Sequence, residues 1–158
     1  MSKDDQSYLR KQAGYSDTVA SDVTFTGKVT GNTEVVTATN VITASESGKT
    51  FYLSGGTDYE STLPTAAAGL NFKFVVAAAP TGDAGYTITG TPAAKIQGSV
   101  STNGAETEAN GILAADEDNV IFVNDVAAVG DWVEFNSDGT NWYVSGGVAA
   151  LAGLTANT

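Results

Sequence analysis

The sequence predicts an all-β fold: a single β-sandwich or jelly-roll-like domain with an extended N-terminal arm and a short C-terminal tail. Three observations carry that prediction. From Val23 onward the chain breaks into short β-branched and aromatic runs separated by Gly, Asn, Asp and Pro. Two of those runs alternate strictly, Thr50–Leu53 with Phe51 and Leu53 on one side, and Asn71–Ala77 with Phe72, Phe74 and Val76 on one side. Near the end, Asp131–Ser145 reads as two strands joined by the polar turn Ser137-Asp138-Gly139, whose residues tolerate positive φ. With 158 residues, one domain with a real core is the natural organisation.

Residues 1–22 are polar, carry Lys3, Arg10 and Lys11, and lack a strand pattern, so they form the arm. Within it, Asp4–Lys11 has acids first and bases last, the charge order of one or two helical turns. Residues 23–146 make the β domain. Its expected strands are Thr24–Val29, Glu34–Ala38, Val41–Ala44, Thr50–Leu53, Asn71–Ala77, Tyr86–Thr89, Lys95–Gln97, Asn119–Val123, Asp131–Asn136 and Asn141–Ser145. Leu63-Pro64 through Gly69 is a turn, because Pro sets φ and Gly ends a helical turn cheaply. Gly98–Ala109 has little to bury and reads as a mobile loop. The tail, 147–158, is apolar again, and Leu151 and Leu154 are expected to pack on a neighbouring subunit. No repeat of fixed period occurs, so a solenoid is not expected.

Composition narrows the function. The net charge of −11, from 18 acidic and 7 basic residues, repels phosphates and anionic lipid, so neither nucleic acid nor membrane is an expected partner. The hydrophobic fraction of 42% is rich in Ala and Val, which favours sharing an interface with further copies. The start, Met1-Ser-Lys-Asp-Asp-Gln-Ser, lacks the apolar centre of a signal peptide, and no 18-residue apolar run exists, so production and use without Sec export are expected.

With no histidine and no cysteine, the common general base, the Ser-His-Asp relay and the usual zinc sites are all missing. Nucleotide-cradling glycine loops of the P-loop or dinucleotide type are missing too. No enzyme activity and no cofactor are expected. Carboxylate pairs such as Asp58 with Glu60 say nothing about separation across a substrate. Asp116-Glu-Asp-Asn119 is the densest acidic stretch and has calcium-type ligands, but it lacks the EF-hand pattern and reads as a solvated loop before a strand. Trp132, Trp142 and Tyr143 are expected to pack, in the core or against another subunit, with stacking on a sugar ring as the alternative.

Two segments carry a resemblance. Val41-Ile-Thr-Ala-Ser-Glu-Ser-Gly-Lys-Thr-Phe-Tyr-Leu53, continuing through Thr62–Val76, and the closing Asn136-Ser-Asp-Gly-Thr-Asn-Trp-Tyr-Val-Ser145, resemble a module of small surface proteins of tailed bacteriophages. The resemblance implies a β-rich virion protein, either a capsid decoration (cement) protein or a head or tail fibre domain, usually trimeric, with no catalytic residue. A short arm and one β domain, without a long shaft or coiled coil, fit decoration better. The expected partners are then the major capsid protein and two further copies of the chain. Tyr8, Leu9, Arg10 and Lys11 would touch the capsid on the outer surface of the virion, after synthesis in the host cytoplasm. The alternative is a carbohydrate-binding adhesin domain of a phage fibre.

Overall fold

The computed structural model describes residues 32–81, 85–91, 95–102 and 111–157. The expected strand Thr24–Val29 and the contact residues Tyr8, Leu9, Arg10 and Lys11 lie outside them. Among the described residues twelve strands form two mixed sheets packed together, an all-β sandwich.

The first six strands alternate between the sheets: β1 (Thr33–Val36), β3 (Thr50–Leu53) and β5 (Asn71–Val76) in one, β2 (Asn40–Val41), β4 (Tyr59–Thr62) and β6 (Tyr86–Thr89) in the other. All neighbours within each set run parallel. Parallel strands need a crossover, and here the crossover is a strand of the opposite sheet instead of a helix. The chain therefore winds as a flattened coil. Its steps are uneven: Thr33 lies beside Thr50 and Thr50 beside Lys73, steps of 17 and 23 residues, whereas Asn40 to Ser61 and Tyr59 to Tyr86 are steps of 21 and 27. A winding without a period leaves no repeat in the sequence.

The second half closes the sandwich with antiparallel pairs and one parallel pair, β11 with β7. β7 (Ile96–Thr102) pairs with β8 (Gly111–Glu117), β9 (Asn119–Phe122) adds to β6, and β12 (Leu154–Asn157) adds to β9. The hairpin of β10 (Trp132–Ser137) and β11 (Trp142–Val148) inserts between β5 and β7, giving the order β1-β3-β5-β10-β11-β7-β8 against β12-β9-β6-β4-β2. Among the described residues no helix is long and apolar enough to cross a membrane.

The core lies between the sheets. Phe51, Phe72, Phe74, Val133, Phe135, Trp142 and Val144 face Ile42, Tyr59, Tyr86, Ile88, Val120, Phe122 and Leu154, all buried. The strands of Phe51 and Phe74 are parallel neighbours, and their rings stack 5.2 Å apart. Phe135 meets Phe74 edge-on at 5.8 Å. The two best-patterned runs thus meet side by side in one sheet. In the other, Tyr59 and Tyr86 stack at 4.6 Å and give their hydroxyls to the carbonyls of Val36 and Ala78. Burial, with the Tyr86 ring behind it, pushes the Tyr59 hydroxyl well above its ordinary pKa.

Three sequence expectations are corrected. Residues 98–102 are not loop but the continuation of β7, where Gly98 is required because a Cβ there would sit 2.1 Å from the Val144 carbonyl oxygen. Residues 147–157 are not a tail outside the domain, since β11 runs to Val148 and β12 joins the second sheet. β4 was not expected, because its inward positions are Tyr59 and Ser61 and the serine breaks the apolar alternation. Ser61 is tolerated in the core by donating to Asn40 Oδ1 at 2.7 Å.

Candidate functional site

The outward face of the larger sheet is built by register. Alternation sends Val35, Tyr52, Val75 and Trp132 outward from β1, β3, β5 and β10, and pairing lines them up as one row that continues into Gly147 of β11 and Ser101 of β7. Four adjacent strands span roughly 15 Å. Val35 is 63% exposed and Tyr52 38%, so the row forms an apolar stripe on this face. The next row is Thr33, Thr50, Lys73, Glu134, Ser145 and Ser99. Lys73 stands directly opposite Glu134, and its ammonium lies 4.4 Å from the centre of the Trp132 ring.

Past Trp132 the row drops. Gly147, opposite it in the hairpin, has no side chain, and a Cβ there would lie 3.2 Å from the indole Nε1. The step leaves an open hollow of about 460 Å³ lined by Ser101, Thr102, Val129, Trp132, Gly147 and Ala149 among others. Beneath it, Asp131 is buried at 3% exposure and holds two segments together. Its Oδ2 accepts from the Ala128 N–H at 2.9 Å and its Oδ1 from the Ala149 N–H at 2.8 Å. No residue pattern announces Asp131, because its partners are backbone groups, one three residues before it and one eighteen after it.

The two tryptophans of the hairpin part company. Trp132 is half-buried on the outer face, whereas Trp142 is fully buried against Phe72, with ring centres 5.7 Å apart. Trp142 therefore packs in the core, and its place among the candidate subunit or sugar contacts is corrected. Its own alternation was the available signal, since Trp142 and Val144 point inward while Tyr143 and Ser145 point out. Leu154 is corrected in the same way. It is 3% exposed at the head of β12 and fills this chain's own core, while Leu151 stays 42% exposed.

Tyr143 faces outward and donates to Asp138 Oδ2 at 3.0 Å. Asp138 also accepts from the backbone N–H groups of Asn141 at 2.9 Å and Thr140 at 2.7 Å, which close the turn. Those backbone bonds, with the tyrosine behind them, hold its carboxyl below the ordinary value, and the hydrogen bond to Asp138, with its charge behind it, raises Tyr143.

At the start of the coil, no strand among the described residues pairs with the outer edge of β1, and β2 is only two residues long. Val35 and Val41, the latter 72% exposed, stand at that end. The acidic stretch is not a loop, since Asp116 and Glu117 end β8 and Asn119 begins β9, and it is dispersed by its own partners: Lys95 forms an ion pair with Asp118, and Gln97 Nε2 donates to Asp116 at 3.2 Å. Among the described residues no three carboxylates gather to hold a metal ion.

No protein-family model matches the chain, and comparison with curated proteins and with solved structures returns no match.

Proposed function

We propose that the chain is a structural protein of a bacteriophage particle that binds the outside of the capsid and stabilises it as a trimer. The observation that supports this reading best is the outer edge of β1, with which no strand among the described residues pairs. A wound β fold exposes unpaired backbone N–H and C=O groups on its first strand, and these need a cap or a partner. Here that strand carries exposed Val35, and β2, the edge strand of the other sheet, carries exposed Val41.

On this reading the N-terminal residues, with Arg10 and Lys11 as cations on an acidic chain, reach the shell, and the coil end packs on the capsid or on a second copy. Stabilisation comes from contact area bridging capsid subunits, not from chemistry. The net charge of −11 then keeps crowded particles apart in solution.

The test mixes purified protein with undecorated phage capsids. The full chain should co-sediment with them, and a chain lacking residues 1–14 should not, while its circular dichroism stays that of a β protein. Failure of the full chain to bind overturns the function, and undiminished binding by the truncated chain overturns the role of the N-terminal residues.

A further inference from the structure

We propose that the hollow beside Trp132 is a binding site for a neutral sugar ring, stacked on the indole. The inference is independent of what the coil end binds.

The shape comes from the order of side chains along one row. An indole stands next to a glycine and then a serine, so Trp132 makes a wall and Gly147 with Ser101 makes a floor. The hollow, at about 460 Å³, has the size of small-ligand sites, which run from roughly 300 to 1,000 Å³. Val129, 67% exposed, supplies an aliphatic rim.

The chemistry is that of an amphipathic ring. A pyranose has a C–H face that lies on an aromatic plane and a perimeter of hydroxyls that both donate and accept. The hollow meets both needs. Trp132 Nε1 makes no hydrogen bond among the described residues and lies at the edge of a hollow whose lining is mixed polar and apolar. The Ser101 hydroxyl is exposed on the floor. The Lys73 ammonium lies over the ring, 4.4 Å from its centre, and outside the lining of the hollow, so a stacked sugar would use the indole surface turned to the hollow.

Charge selects the class of sugar. The chain carries a net −11, the buried Asp131 lines the hollow, and Lys73 is matched across the strand by Glu134. Uronic and sialic acids are therefore disfavoured, as is a nucleotide, which would stack on the same ring but brings phosphate. A neutral hexose or N-acetylhexosamine fits the geometry without a charge penalty.

The chain has two tryptophans, one outside and one inside, so each gives its own indole N–H signal in a two-dimensional NMR spectrum of isotope-labelled protein. The probes are neutral oligomers of glucose, galactose, mannose and N-acetylglucosamine, each taken to well above about 1 mM. At least one should shift the Trp132 signal saturably and leave that of Trp142 in place. Trp132→Ala should weaken binding, read by calorimetry, by about tenfold or more, and Trp132→Phe by less. Gly147→Val, which fills the floor, should abolish it. The proposal is overturned if no oligomer moves the Trp132 signal, or if Trp132→Ala binds as the unaltered chain does. It is equally overturned if the Trp132 signal moves with protein concentration alone, which would make this face a contact between copies.

Discussion

Replacing Trp142 by alanine removes the largest fully buried side chain of the domain from a site where it touches Phe72 and where nothing reaches it from solvent. A buried aromatic of this size hides about 150–250 Å², which at about 25 cal/mol per Å² corresponds to roughly 4–6 kcal/mol; measured truncations of buried Trp and Phe to Ala cost about 3–5 kcal/mol. Against a total stability of about 5–15 kcal/mol, such a loss leaves the domain close to unfolding. The indole also has a cost of its own. Its Nε1 is buried and has no hydrogen-bond partner among the described residues, a defect worth about 1–3 kcal/mol. Trp142→Phe keeps most of the ring and removes the stranded donor, so its two effects oppose each other and the net change is expected within about 1 kcal/mol. Trp132→Ala loses a half-buried ring and its contact with Lys73 and is expected to cost at most about 1 kcal/mol. Urea unfolding followed by circular dichroism measures all three. The reasoning is refuted if Trp142→Phe is as damaging as Trp142→Ala, or if the two alanine variants lose equal stability.

Two further outcomes are expected. Asp131→Ala leaves the N–H groups of Ala128 and Ala149 without their acceptor and should cost about 2–5 kcal/mol in the same unfolding experiment, with faster hydrogen exchange at those two amides. Glu46 is held below its ordinary pKa by Lys49 at 2.7 Å, and also by the Thr43 N–H at 2.8 Å, so its contribution is present above the unfolded-state carboxylate pKa and is lost as pH falls through the lower folded value. Since the group is at the surface and screened, Glu46→Gln should cost only about 0.5 kcal/mol at neutral pH and nothing in strong acid, which paired urea titrations at the two pH values check.

The fold was legible wherever a strand buries one face with large apolar residues. Phe51 and Leu53, Phe72 and Phe74, and Val133 and Phe135 all point inward as their alternation requires. It was hidden where the inward positions are small or polar, as at Ser61 in β4 and Gly98 in β7, or where a strand has one strong inward residue, as Leu154 in β12. The site was half legible. That Trp132 faces away from Val133 follows from alternation alone, but the face taken by the second tryptophan depends on the turn, which pairs Ser137 with Trp142 and so puts both inward. A turn one residue longer or shorter would exchange the faces of β11. The hollow itself depends on β10, β11 and β7 lying side by side, and β7 comes from a segment that reads locally as loop.

The placement of the closing hairpin between β5 and β7 bears on how the chain reaches its native state. As the protein emerges during synthesis, the coil of β1 to β6 can wind from neighbours in sequence, whereas the free edge of β5, with Phe72 and Phe74 on it, has no partner until Trp132–Ser137 has been made. β7 and β8 must wait as well, because the strand they join is β11. A ribosome that stalls before residue 132 would therefore release a half-wound coil with an open hydrophobic edge. That intermediate is where aggregation or chaperone capture would begin.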